Sequence, residues 1–415
     1  MSDAIEVHVD IDGTTVRAGT LYAHRRRNTE AATLVYDADY VGSPTAYALE
    51  PALTLDLAQH QTAPEQPLFG AFTDCAPDRW GRTLVQRAER RRAKDAGVAA
   101  RQLGEIDYLL GVRDDLRQGA LRFRTDPDGP FESDGDLGVP ALTQLGELLH
   151  LANRAERDAA NYDELRRLIR AGSSLGGARP KAHVRAADGR VAIAKFPSAS
   201  VDTWNVPAWE KVAHDLAAAA GITVPSSELL CVDRRHVIVL NRFDRDGDRR
   251  VGYASAMTML EARDREEHSY LEIADVITAV SPQATTDLHE LWRRIAFHVL
   301  ISNTDDHLRN HAFLHHHADQ WVLSPAFDLN PNPDGPRELC LAIDEADPTA
   351  TINNVRSVAS YFRLSDQQAQ AILTEVATAV SQWRTVAATH GLTERDIDTM
   401  APAFDEHELS VAFDQ

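Results

Sequence analysis

Alternating apolar and polar positions run through roughly the first 60 residues, where EVHVDIDGTTVRAGTLY reads as two strands around an Asp12-Gly13 turn and ATLVYD adds another. This β-rich start gives way from Thr73 to about Gly97 to a helical, basic stretch, and the polar DPDGPFESDGDLG run at 126–138 reads as a linker. A helix is expected from about Thr143 to Arg154, then a glycine-rich turn (AGSSLGGARPK), then a hairpin in which KAHVRA and VAIAKF flank Asp188-Gly189. Asn205 as N-cap and Pro207 in the first turn open another helix that stops at Gly221, followed by strands SSELLCV and HVIVLNRF. Beyond about residue 256 the period lengthens. Leu288, Leu291, Trp292, Ile295, Val299 and Leu300 trace one amphipathic helix, and Ala369, Ile372, Leu373, Val376, Val380 and Trp383 another. The reading is α+β: a β-rich first unit (1–130), a sheet-rich lobe (131–255) and a helical lobe (256–415).

Length and composition fit that division. A chain of 415 residues is too long for one ordinary hydrophobic core. No stretch approaches the roughly 18 consecutive apolar residues that cross a bilayer, and the start is neither basic nor apolar, so no membrane role and a cytoplasmic location are expected. Cys75, Cys231 and Cys340 lie far apart without a CxxC pair and read as buried small hydrophobes. The formal charge of −20 repels a phosphate backbone, so nucleic acid is expected only through a partner. The basic run Arg87, Arg90, Arg91, Arg92 and Lys94 reads as a solvated helix face.

The candidate chemistry begins where the helix ending near Ile301 runs into SNTDDHLRN, AFLHHHADQWVLSP and AFDLNP. Asp305 precedes Asn310 by five residues, the separation of base and metal-ligand Asn in a kinase catalytic loop, and Asp328 follows in a Phe-Asp pair. Phosphoryl transfer needs a carboxylate at the incoming hydroxyl and hard oxygen ligands for Mg²⁺. Taken alone the spacing is a weak signal, since Asp and Asn constantly cap turns. The strand VAIAKF adds weight, since Val191, Ile193 and Lys195 share a face and a lysine there either snorkels or meets an anion. Upstream, the turn with Gly176, Gly177 and Lys181 is suited to wrap phosphates with backbone N–H groups. A sheet-rich lobe followed by a helical lobe is a shape that kinases use.

These motifs together resemble the HipA-type toxin kinases over nearly the full length. The matching segments are LFGAFTDCAPDRWGR and YLLGVRDDLRQGALRF in the first unit, SSLGGARPK, AIAKFP, LNRFDR, NTDDHLRN and LSPAFDLNP. The resemblance implies a two-lobed protein-kinase-like fold and an ATP- and Mg²⁺-dependent serine/threonine kinase. It implies Asp305 as base, Asn310 and Asp328 as Mg²⁺ ligands, and His307 and Arg309 beside the phosphates. Gly176, Gly177, Ala178 and Lys181 would form the glycine-rich loop, Lys195 would reach the phosphates, and Asn241, Arg242 and Phe243 would lie near the adenine. Ser174 is the implied autophosphorylation site that switches such kinases off. The implied partners are a HipB-like helix-turn-helix antitoxin, DNA only through it, and a protein substrate such as an aminoacyl-tRNA synthetase.

Arg309 stands where a Lys is usual and Asp306 where a small residue is frequent, so the charge geometry near the phosphates departs from the pattern. Glu210 reads either as a partner of Lys195 or as a first-turn dipole complement. DRDGDR at 244 has its glycine at the fourth position and Ser255 at the twelfth, unlike a calcium loop, and His315, His316 and His317 read as a hairpin tip. Two other readings stay open: a small-molecule phosphotransferase, and a non-catalytic protein that sequesters an antitoxin.

Overall fold

The computed structural model describes residues 3–26, 29–132, 139–172, 177–186, 188–345 and 347–414. The chain forms two compact units. The first comprises Met1–Val201, Asn241–Ala254 and Leu314–Asp319, and the second Asp202–Leu240, Ser255–Phe313 and Gln320–Gln415.

The first unit holds a five-stranded antiparallel sheet of β1 (Asp3–Ile11), β2 (Thr14–Arg26), β3 (Thr29–Tyr36), β4 (Gln59–Gln61) and β5 (Leu121–Arg124), in the order β4-β3-β2-β1-β5. Asp12 and Gly13, with φ of 50° and 81°, make the tight turn whose backbone twist matches the strands it joins. Ile5, Val7 and Val9 are fully buried, as their alternation requires. β5 pairs with β1 through Val7 and Phe123, a long-range closure that a four-residue strand does not announce in sequence.

Helix α1 (Arg79–Asp95) carries the basic run, and that run is not simply a solvated face. Arg87 donates to the Ala155 carbonyl and Arg91 to the Ala160 carbonyl at 3.2 Å, binding α1 to the end of α2 (Leu145–Glu156). A further helix, α3 (Tyr162–Arg170), opens with a capping box from Asn161 and Glu164. Strands β6 (Lys181–Arg185) and β7 (Val191–Lys195) then form the expected hairpin, with Lys181 opposite Lys195.

In the second unit α4 (Val206–Ala219) starts after Asn205 with Pro207 in its first turn, and Gly221 at φ +78° ends it. Strands β8 (Ser227–Val232) and β9 (Arg235–Asn241) pair antiparallel. The helical part contains α5 (Tyr270–Val280), α6 (Ala284–Leu300), the first two residues of strand β10 (Ala312–His317), strand β11 (Gln320–Leu323), α7 (Asp366–Val380) and α8 (Trp383–Thr389). α6 is buried on more than its apolar stripe: Asp287, Arg294 and His298 are within the core with Leu291, Trp292 and Ile295. The second apolar stripe breaks earlier than its periodicity suggests. α7 stops at Val380 and Trp383 opens α8, where its ring stacks on Phe404 at 4.3 Å.

Of the cysteines only Cys75 is buried, its thiol pushed up to about 11 by that burial, while Cys231 and Cys340 are exposed. The expectation of three buried thiols is corrected: Cys231 lies on an outward position of β8 and Cys340 in a loop. Among the described residues no helix is long and apolar enough to cross a membrane.

Candidate active site

The loop that bears Asp305 begins with how α6 ends. Ser302 takes a left-handed φ of 50°, and the amides of Ser302 and Asn303 donate back to the carbonyls of Val299 at 3.3 Å and His298 at 2.9 Å. This paired closure satisfies two of the last helical carbonyls and turns the chain sharply. From there exposure alternates: Asp305, His307 and Arg309 face outward, while Asp306, Leu308 and Asn310 are buried. A turn of 3₁₀ helix, Leu308–Asn310, brings Asn310 back, its amide N–H donating to the His307 carbonyl at 2.8 Å. Asn310 Nδ2 donates to the Asp305 carbonyl at 3.1 Å, which leaves the amide oxygen as the donor atom a cation would use. The Cys340 thiol lies 4.0 Å from Asp305 Oδ1.

Asp328 arrives on the segment after β11. Its backbone is left-handed at φ 60°, an uncommon conformation for a non-glycine residue and one found preferentially at functional sites. Three asparagines fasten this segment to the loop. Asn303 Oδ1 accepts from the Asn330 amide at 3.4 Å, Asn332 Nδ2 donates to Thr304 Oγ1 at 2.8 Å, and the Asn332 amide donates to the Ser302 carbonyl at 3.2 Å. Asn330 Nδ2 donates to Asp328 Oδ1 at 3.3 Å, and its own Oδ1 is buried without a hydrogen-bond partner. Arg294 on α6 steadies the approach by donating to the Ser324 carbonyl at 2.7 Å. No sequence motif singles out the three asparagines, although Asn330 and Asn332 recur at the period-2 spacing that places both on one side of an extended chain.

Arg309 forms an ion pair with Asp264, whose carboxyl it holds below its usual range. Asp306, one of the two departures, does not face outward at all. It is 1% exposed, accepting from Tyr270 Oη at 2.6 Å and His311 Nε2 at 2.7 Å.

The remaining candidates lie in the first unit. Gly177 and Ala178 are exposed, and Gly177 has φ +111°, with an added Cβ only 3.0 Å from Lys181 Nζ. Ser174 and Gly176 lie outside the described residues. Lys181 is itself buried and forms a 2.6 Å ion pair with Asp78, the N-cap of α1. Lys195, across the ladder from it, is half-buried on the face of Val191 and Ile193, so Asp78 offsets one of two opposed like charges. The Arg242 guanidinium is fully buried. It donates to both oxygens of Asp244, to the carbonyls of Leu116 and Arg117 and to His183 Nε2, so the side chain serves the fold. Asn241 is half-buried, and Phe243 stacks on Tyr253 at 6.5 Å. Glu210 is 2% exposed on α4. Among the described residues no group of three or more His, Cys, Asp and Glu side chains is placed to hold a metal.

The architecture is α+β with the two-lobed, protein-kinase-like plan. A chain of the Shewanella oneidensis MR-1 toxin–antitoxin complex of HipA, HipB and operator DNA shares it with a TM-score of 0.65 at 15% identity, over 99% of this chain and 96% of that one. The profile of the HipA-like C-terminal domain matches residues 173–383, and the chain belongs to that family. A curated relative, the Sinorhizobium fredii (strain NBRC 101917 / NGR234) protein Y4dM, whose name makes it a candidate kinase, is 27% identical over 152 residues. That match spans 33% of this chain and 36% of the relative, about a third of its length.

Proposed function

We propose that the chain is an ATP- and Mg²⁺-dependent serine/threonine protein kinase and the toxin of a type II toxin–antitoxin module. One observation carries the reading: Asp305 is turned outward on a loop whose backbone is hydrogen-bonded to Asn310, and Asn303, Asn330 and Asn332 fasten that loop to the segment of Asp328. Asp305 orients the acceptor hydroxyl and takes its proton. Asn310 and Asp328 suit Mg²⁺, an all-oxygen set with one carboxylate, and the unpartnered buried Oδ1 of Asn330 adds an acceptor for the ion's waters. When bound, the ion would draw charge from the transferring phosphoryl group. In the first unit Gly177, Ala178 and the Lys195 ammonium would meet phosphates, with Lys181 holding the turn from below through Asp78. Asn241 and Phe243 would accompany the adenine, and Arg242 would act through its backbone.

In this reading residues 1–130 help engage a partner, 131–255 bind nucleotide and 256–415 carry the chemistry. The partner is a HipB-like helix-turn-helix antitoxin, in line with the HipA–HipB–DNA complex of the structural relative, and DNA is met only through it. The substrate is a cytoplasmic protein, an aminoacyl-tRNA synthetase by the family resemblance, whose modification would halt translation and favour persistence. Autophosphorylation at Ser174 would add about two negative charges beside the phosphate loop and end activity.

The test is transfer from γ-labelled ATP by wild type, Asp305→Asn and Asp328→Asn, with nucleotide affinity by calorimetry. Both variants should be silent, with Mg-ATP affinity reduced only in Asp328→Asn. Equal loss of affinity in both would overturn the roles assigned, and a silent wild type that still relieves nothing and arrests nothing in cells would overturn the toxin-kinase reading.

A further inference from the structure

The carboxylate next to the base is an unusual thing to bury. Asp306 Oδ2 accepts both the 2.6 Å bond from Tyr270 and the 2.7 Å bond from His311. His298 Nδ1 stands 3.3 Å from the same oxygen, but that nitrogen already accepts from Asn303 Nδ2 at 2.9 Å and so has no proton to offer. Among the described residues no Lys or Arg pairs with Asp306. Burying a carboxylate costs stability unless its hydrogen bonds compensate, a cost that a small residue at this position would avoid. Packing alone does not account for it.

The register of its bonds does. Asp306 follows Asp305 as His311 follows Asn310, so the Asp306–His311 bond closes the same five-residue interval that separates base from metal ligand. Beside it runs the 3.1 Å bond from Asn310 Nδ2 to the Asp305 carbonyl. Together they make the loop a ring of fixed size, and Tyr270, the first residue of α5, fixes that ring to a helix. We infer that Asp306 is a positioning residue, which sets the separation of the Asp305 carboxylate from the Asn310 amide through its bond to His311. It touches neither nucleotide nor acceptor. The inference rests on the kinase reading.

Because both bonds fall on one oxygen, an amide at 306 keeps the staple and loses only the charge, whereas alanine loses both. A misplacement on the order of 1 Å costs about 100-fold in rate. Asp306→Ala is therefore expected to lower kcat about 100-fold, with ATP affinity within about threefold of wild type. Asp306→Asn should recover most of that rate, and Tyr270→Phe, which leaves the ring closed, should stay within about threefold. The assay is single-turnover transfer from γ-labelled ATP, to the chain itself and to dephosphorylated casein, per folded molecule counted by nucleotide titration, with melting curves alongside. His311→Ala opens the ring from its other end and carries the test should Asp306→Ala fail to fold. A wild-type rate in whichever of these two folds overturns the inference, as does a loss of ATP affinity equal to the loss of kcat. Rescue by Asn with a normal affinity supports it. A silent wild type overturns the kinase reading and this inference with it, whereas an active wild type beside an equally active Asp306→Ala overturns only the inference.

Discussion

Two buried carboxylates, one in each unit, are used in opposite ways. Asp244 is met by full charges: Arg242 grips both its oxygens at 2.6 and 2.8 Å, Arg245 donates at 2.9 Å, and the Gly119 amide adds a bond at 2.8 Å. The Gly119 bond spans 125 residues of sequence, Arg242 itself reaches the carbonyls of Leu116 and Arg117, and the neighbouring cluster of Asp114 with Arg122 and Arg250 repeats the pattern. Asp306 is met by a phenol and an imidazole, and its ring bond spans five residues. The first network assembles distant segments, so its charges must be neutralised to be affordable inside. The second shapes one loop and leaves its neighbour Asp305 outside. Motif residues that look alike in sequence thus divide into those consumed by the fold and those presented by it.

The sharpest way to break that comparison is to remove one charge of each kind. Asp305→Asn should cut phosphate transfer by about 10²–10⁴-fold and leave the melting temperature unchanged, because an exposed side chain is lost. Asp244→Ala strands Arg242 and Arg245 in the interior and should cost about 3–5 kcal/mol of stability in urea melts, with near-normal kcat per folded molecule. Transfer lost in Asp244→Ala without unfolding, together with destabilised Asp305→Asn, would reverse the roles assigned to the two networks.

How much of this was readable in advance follows from sequence separation. The Asp12-Gly13 and Asp188-Gly189 hairpins, α4 with its Pro207 and the stripe of α6 are local patterns, and the chain adopts them. Asp305, Asn310 and Asp328 are spaced by a loop and a hairpin, so their candidacy was visible too. The pairing of β5 with β1, the Lys181–Asp78 ion pair across 103 residues and the burial of Arg242 were not, since each depends on a distant partner that no local period encodes. Asp306 was legible only as a departure. That it turns inward follows from the alternation through Leu308 and Asn310, which became visible once the left-handed turn at Ser302 had set its phase.

A smaller effect distinguishes the units by pH. Burial pushes the His298 imidazole down to about 4, and burial together with Arg242 holds His183 well below its usual range. Both are neutral in the fold and take up a proton on unfolding once pH drops below about 6.5. Their stability contribution is complete above that pH and is lost as pH falls, for His298 down to about 4, at about 1.4 kcal/mol per pH unit for each histidine. Asp244 and Asp306, held below the usual carboxylate range, act in the same direction only beneath about pH 4. Urea midpoints at pH 7, 6 and 5 should therefore fall in wild type and fall less steeply in His298→Gln or His183→Gln. An unchanged slope in either variant would mean that the corresponding histidine is already protonated in the fold.

The smallest expected change concerns Arg309, the one loop cation whose partner is at the surface. Its ion pair with Asp264 joins side chains that are 42% and 71% exposed, and solvent screening leaves such a pair worth about 0–1 kcal/mol. Arg309→Ala should thus shift the melting temperature barely at all. If the arginine's only task is to hold Asp264, transfer kinetics should be equally indifferent, and Asp264→Ala should behave the same way. If instead it leaves Asp264 to meet nucleotide phosphates, Arg309→Ala should raise the KM for ATP several-fold at constant kcat, as loss of a contact made equally in ground and transition states requires, while Asp264→Ala lowers it. Arg309→Lys discriminates further. A lysine keeps the point charge but not the planar fork, so recovery of KM by lysine would mark simple charge attraction, and failure to recover would mark a bidentate grip on phosphate oxygens.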